Sequence, residues 1–514
     1  MPLFKSTGVA RLSHTNAREY RARSARLPRA ALTGTLLAVA ALAAALAAGA
    51  CGWMPGRGAP PLPPLPELRG RTPAVAAHVR AAYEAASRQP DSAVPVGALC
   101  RAYHADLLFD AASRCYERVM ALDGDWRWGY ARALIDIELG GGAGLADRLR
   151  GIAAAAPDFA PVWLRLGDAE FKAARYDAAA DAWRRAATLP PPDAAPPDAA
   201  PAGDGPVHVA EVPIAAYASL GLARVALMTG DPDGAREILE RVVAATPAFG
   251  PAFRLLADSY RALGRAPDAE RAVYHAGRRP SFTPFTDPIV DGLTRESRNS
   301  TLLLRVASEA TLTVNAAWSE FLSRRAVAFD PGNPDAVLKL ARVLRTLERN
   351  EEALGWFLKY ASMVPGDYLG LAHIGSCLSA LGRSQEAEEY FRKSLAGLDD
   401  ATTHYNLGLL MSMTGRLPEA EREYRRALAL DPAHAGARGN LGPLLARMGR
   451  AREAAEELRR LVADDPENVG ALTNLGVVLL QQGRAKDARA YLEEALRLAP
   501  GMPQAVEALR VAGP

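Results

Sequence analysis

Pro432, Pro466 and Pro500 stand 34 residues apart; so do Gly408, Gly442 and Gly476, and again Gly415, Gly449 and Gly483. A fixed period of this length means a stack of one supersecondary unit, because a unit too small to close its own core must bury its apolar face on its neighbours. With units counted from 401, 435 and 469, position 7 is Leu407, Leu441 and Leu475, position 20 is Ala420, Ala454 and Ala488, and position 24 is Tyr424, Leu458 and Leu492. Each unit reads as helix, glycine turn, helix, proline. Gly at position 15 supplies the left-handed end of the first helix, and Pro at position 32 ends the second. Small residues at 8 and 20 let the two helices approach closely, while the large residues at 7 and 24 fill the space beside that contact. The predicted fold class is all-α.

Spacing and residue size together resemble the tetratricopeptide repeat family, which implies a superhelical solenoid of stacked helix-turn-helix units. Ile374, Gly375, Ala387 and Phe391 mark a unit at 368–400, and Leu340, Ala341, Ala353, Phe357 and Pro365 one at 334–367. Earlier in the chain, Trp163, Leu166, Gly167, Ala179, Trp183, Ala186 and Pro191 give the fullest match, followed by units at 216–249 and 250–283. Degenerate units are expected at 93–125, 126–159 and 300–333. The last has Ser319 where alanine belongs, which leaves its register open. Amphipathic stretches at Ala74–Arg88 and Pro503–Val511 read as capping helices. The expected organisation is a signal or anchor at 1–50, a proline-rich spacer at 51–73, a sub-array at 74–283, a linker at 284–299 and a second sub-array at 300–514.

Two segments break the rhythm. Residues 190–206, PPPDAAPPDAAPAGDGP, cannot bury a core and are expected to form a surface loop. The stretch Arg278–Asn299 carries Phe282, Phe285 and an Asp287-Pro288 helix start, so a short helix and an aromatic loop should join the sub-arrays, either as packing for the joint or as a docking insertion.

Ahead of the repeats, Ala31–Ala50 is a run of twenty residues without charge or proline, just enough to cross a bilayer of about 30 Å. Residues 1–50 hold seven basic residues and one acid, so the positive-inside rule sends everything after Ala50 across the membrane. Gly49-Ala50-Cys51 resembles a bacterial lipoprotein signal, with Cys51 as the lipidation site, although Ala48 stands where that pattern prefers a larger aliphatic residue. Lipoprotein, uncleaved anchor and cleaved secretory signal remain open readings, and all three place the body in the bacterial cell envelope, outside the cytoplasm. An oxidising compartment would permit a Cys100–Cys115 disulfide if the two side chains face each other; otherwise both pack as small core residues.

The chain of 514 residues has 61 basic and 58 acidic residues, and beyond residue 50 its net charge is −3, so it lacks the basic footprint of a nucleic-acid binder. No Walker A loop, GxSxG elbow, HExxH or strand-linked GxGxxG occurs. Gly140-Gly141-Gly142-Ala143-Gly144 falls where an interhelix turn belongs, and the eight histidines are scattered without metal-binding spacing. Neither a metal, nor a small-molecule cofactor, nor catalysis is expected. Glu421, Glu423, Glu456 and Glu457 lie on second helices among arginines and read as a solvated, ion-paired face.

One constellation carries recognition chemistry. Position 6 is Asn406, Asn440 and Asn474 in three consecutive units, with Tyr405 beside the first. The resemblance implies that this position faces the concave groove. The arrays of O-linked N-acetylglucosamine transferases are similar in carrying an asparagine ladder that holds extended peptides. An amide offers both donor and acceptors to a peptide backbone. The equivalent residues His373 and Lys339 end the ladder, and Pro443 interrupts a first helix. The expected function is an envelope-tethered scaffold that binds proteins or peptides. The alternative is an enzyme or accessory subunit related to those transferases, which place a large catalytic domain after the array, whereas this sequence runs only 14 residues past Pro500.

Overall fold

The computed structural model describes residues 59–142, 144–192, 212–280, 284–310 and 315–513. Gly58–Pro514 form one compact unit. The apolar run 31–50, Cys51 and most of the 190–206 insertion lie outside the described residues. Among the described residues there are 25 helices and no strand, and no helix is long and apolar enough to cross a membrane.

Helices come in antiparallel pairs. In the unit at 401, Ala401–Met413 and Leu417–Leu430 are joined by a turn in which Gly415 takes φ 80°. Ala435–Arg447 with Ala451–Asp464, and Val469–Gln481 with Ala485–Leu498, repeat the arrangement. The small residue at position 8 is pressed directly against the large residue at 24: a Cβ on Gly442 would lie 2.6 Å from Leu458 Cγ, and one on Gly476 2.6 Å from Leu492 Cγ. Trp183 shows the same rule on a larger scale. It is fully buried between Gly167 of its own unit and Gly221 of the next, and a Cβ on either would come within 2.4 Å of the indole. Position 20 is closed too, since Ala353, Ala387, Ala420, Ala454 and Ala488 have no exposed surface.

The degenerate units keep this geometry by other means. Ser319 is fully buried and donates its hydroxyl to the carbonyl of Ala307 at 2.7 Å, which sets position 20 against position 8 and fixes the register of the unit at 300. In the unit at 93, Cys100 occupies position 8 on Ala93–Ala105 and Cys115 position 23 on Phe109–Asp123. Their Cα atoms are 5.1 Å apart and they form a disulfide. Between Trp126–Glu138 and Leu145–Ala155, Gly140, Gly141 and Gly144 all take positive φ, so the glycine run makes the interhelix turn.

Second helices of successive units are stitched by ion pairs. Arg349 bridges Glu320 and Glu352, Arg416 bridges Glu388 and Glu419, and Arg450 bridges Glu421 and Glu453. Each arginine sits at position 16, after the turn. Half-exposed pairs of this kind are each worth less than about 1 kcal/mol, so they align units more than they stabilise them.

The stack also touches itself. The helix Ala266–Gly277 meets the turn after Ala451–Asp464, where Tyr274 donates to Asp465 and Arg278 pairs with the same carboxylate at 3.0 Å.

Candidate partner-binding surface

First helices define one face. A hollow of about 460 Å³ in the N-terminal half is lined by Leu164, Arg165 and Asp168 from Ala160–Lys172, by Tyr217, Leu220 and Arg224 from Ile214–Met228, by His104, Leu134 and Ile137 of the two preceding units, and by Phe285, Asp287 and Leu302 from farther along the chain. The residues of these two helices stand at unit positions 2, 5, 6 and 9, and the two preceding units reach the hollow from positions 9, 12 and 13, so these positions of the first helices make the face toward the hollow, the inner face.

In the N-terminal half that face is already taken. The segment 284–298, with its helix Pro288–Glu296, runs across the first helices of four units. Phe285 packs edge-on to Tyr217 at 5.6 Å and lies under the Arg165 guanidinium at 5.3 Å. Asp287 accepts from the Tyr130 hydroxyl at 2.6 Å and from Arg165 at 3.0 Å, while its other oxygen accepts from the backbone N–H groups of Ile289 and Val290 to cap the helix. Leu293 enters the core with Tyr130 and Leu134. Glu296 pairs with Arg101 at 2.9 Å, and Asp106 accepts from the Arg298 backbone at 2.8 Å. Burial opposes the charge of Arg165, but Tyr130 and Asp287 outweigh it and hold its pKa above the ordinary value. The segment therefore docks through carboxylates on inner-face arginines and through apolar side chains between them.

The predicted residues lie on the same face in the C-terminal half. Tyr405, Asn406, Asn440 and Asn474 are all half-buried on first helices. Tyr405 and Asn440 come together across two units: the Asn440 amide donates to the Tyr405 hydroxyl at 3.3 Å, and the Tyr405 ring rests 4.9 Å from His434. The middle rung of the asparagine series is thus partly committed within the chain. Asn406 and Asn474 make no side-chain hydrogen bond among the described residues and remain available. Burial, then the neighbouring Tyr405, push Tyr424 up to about 12, so this hydroxyl stays protonated behind the surface. The helix Ala435–Arg447 continues through Pro443.

Beyond the ladder the face becomes cationic. His373 stacks on Phe357 at 5.1 Å, and burial together with Arg345 and Arg342 pushes its pKa down to about 4, leaving it neutral at pH 7. Burial and Arg342 lower Lys339 to about 8. Sequence reasoning missed this cluster, and it anticipated the short helix after Asp287 but not the face on which that segment docks. The signal available was the concentration of Lys339, Arg342 and Arg345 at positions 6, 9 and 12 of one helix. Cys51 lies outside the described residues.

Comparison with known proteins agrees with this architecture. One tetratricopeptide repeat profile matches residues 207–248, 220–281, 315–368 and 440–503, and a second matches 368–433, together about half of the chain. Solved structures with similar segments include YrrB, described as a TPR protein with an unusual peptide-binding site, at 22% identity over 37% of this chain and 97% of that one with a TM-score of 0.31. PilW, described as a type IV pilus biogenesis factor, shows 21% identity over 41% and 98% with a TM-score of 0.38. Yeast Tom70 shows 13% identity over 82% and 94% with a TM-score of 0.36. No protein of curated function matches the sequence.

Proposed function

The chain belongs to the tetratricopeptide repeat family, and from that premise we propose that it is a non-catalytic scaffold of the bacterial cell envelope whose C-terminal inner face holds an extended segment of a partner protein. The observation that carries this reading is internal. Positions 5, 6 and 9 of the N-terminal first helices receive a stretch of polypeptide, residues 284–298, through Tyr130, Arg165 and Arg101. The same positions in the C-terminal half present Tyr405, Asn406, Asn474 and hydroxyl-bearing Ser376. Amides at a 34-residue repeat can pair with a peptide backbone without demanding one sequence. Replacing Asn406, Asn440 and Asn474 together by Ala should weaken partner capture in pull-down from envelope extracts while leaving the melting temperature nearly unchanged. Capture equal to wild type would remove the asparagine series from the binding surface.

The location rests on the basic flank followed by the apolar run 31–50, and the Cys100–Cys115 disulfide is consistent with an oxidising compartment. Fractionating wild type beside Cys51→Ser tests it. Loss of membrane association in the variant assigns lipidation to Cys51, retention assigns a spanning anchor, and wild type recovered in the cytoplasm contradicts the envelope reading.

A further inference from the structure

We infer that the partner segment held by the C-terminal inner face is acidic, and that its carboxylates are taken by Arg342 and Arg345 beside His373. This rests on the scaffold reading above and names the chemistry of its partner. Where the inner face is filled within the chain, cations at positions 6 and 9 hold carboxylates of the occupant: Arg165 holds Asp287 at 3.0 Å and Arg101 holds Glu296 at 2.9 Å. The C-terminal half repeats the cations without the occupant.

Arg342 stands at position 9 and Arg345 at position 12 of the helix Pro334–Thr346, three residues apart and so on one side of it. Both are exposed, and neither pairs with a carboxylate among the described residues. His373 at position 6 of Tyr368–Ala380 feels both of them. From 334 to 481, positions 5, 6, 9, 12 and 13 of the five first helices carry no Asp or Glu, and position 2 carries one, Asp335, seven residues before Arg342. The other acids of these units sit on second helices or in turns, and Glu352, Glu388 and Glu419, with Glu320 of the preceding unit, already hold arginines. Arg342 and Arg345 thus present positive charge that no ion pair among the described residues neutralises, and it lies on the face that binds polypeptide elsewhere in the molecule. Burial and then Arg342 lower Lys339, and burial followed by Arg345 and Arg342 lowers His373 against the opposing effect of Asp367; a carboxylate placed beside the two arginines would oppose both depressions.

A peptide fits better than a nucleic acid. The cations are concentrated on the first helix of one unit, whereas the next units offer Ser376, Ser379, Asn406 and Asn474. A phosphate chain would need cations along its whole length. An acidic peptide needs them at one end, and its backbone can lie on hydroxyls and amides thereafter.

The test is fluorescence anisotropy of the full chain with three labelled probes: a 12-residue peptide of alternating Ala and Glu, its Ala–Gln counterpart, and a 12-nucleotide single-stranded DNA. The Glu peptide should bind saturably, about tenfold or more tighter than either other probe, and weaken as salt rises. Arg342→Gln with Arg345→Gln should weaken it about tenfold with an unchanged melting temperature, because both side chains are exposed. No saturable binding of the Glu peptide, equal binding of the Glu and Gln peptides, tighter binding of DNA, or indifference to the double substitution would each overturn the inference. Partner capture separates this from the scaffold reading. Capture lost on Asn406, Asn440 and Asn474→Ala but retained on the arginine double variant keeps the surface and removes its acidic specificity; capture retained by both removes both.

Discussion

Among the described residues, three units turn between their helices on a residue other than glycine: Leu107, Ala174 and Glu348 take φ of 61°, 57° and 59°. The left-handed region costs an L-residue about 1–2 kcal/mol, because Cβ crowds the following carbonyl. Gly415, Gly449 and Gly483 avoid that cost at the same place. Glu348 is exposed, so nothing packed is lost by removing its side chain. Glu348→Gly should raise stability by about 0.5–1 kcal/mol after the extra entropy of glycine in the unfolded chain is subtracted. Equilibrium urea denaturation checks this, and a decrease would show that the Glu348 side chain does something the turn geometry does not require. Positions like these explain what could be read in advance. Gly408 against Tyr424 and Ala420 behind them were legible because their sizes recur every 34 residues. Ser319 was ambiguous, since a hydroxyl in an alanine site is explained only by the carbonyl of Ala307 that it meets.

Among the elements, the helix Pro288–Glu296 behaves least like its neighbours. Its start was legible from Asp287-Pro288, but its destination was not. Periodicity reports how identical units stack and says nothing about an aperiodic segment that crosses them. Most of the contacts that dock it join residues more than a hundred positions apart, as between Arg165 and Asp287. Asp287 serves twice, as helix cap and as the buried partner of Arg165 and Tyr130. Asp287→Ala would leave a largely buried guanidinium and a buried phenol without their acceptor, at a cost of about 3 kcal/mol. In a stack held by neighbour contacts that loss should be local. Hydrogen exchange should therefore accelerate at the amides of 288–296 while those of 401–430 remain as protected as in wild type. Equal protection at 288–296 would mean that the apolar contacts of Leu293 and Phe285 dock the segment without the carboxylate. The Cys100–Cys115 disulfide is a second element-level departure, since it ties the first pair of helices where other units rely on packing alone.

At the scale of the whole molecule, one face is used in two ways. The N-terminal first helices spend it on the chain's own joint, and the C-terminal first helices leave it facing outward from the core with amides, hydroxyls and cations. The second helices are covered instead by the arginine–glutamate series from Glu320 to Glu453, which is satisfied internally and has little left to offer a partner. On the scaffold reading proposed above, recognition belongs to the inner side. Site-specific photocrosslinking in cells tests it most directly, with a photoreactive residue at Tyr405 or Asn474 on the inner face and at the exposed Arg422 on the outer one. Discrete adducts with one partner from Tyr405 and Asn474, and none from Arg422, are the predicted result; adducts from Arg422 alone would contradict the assignment of the inner face as the working surface.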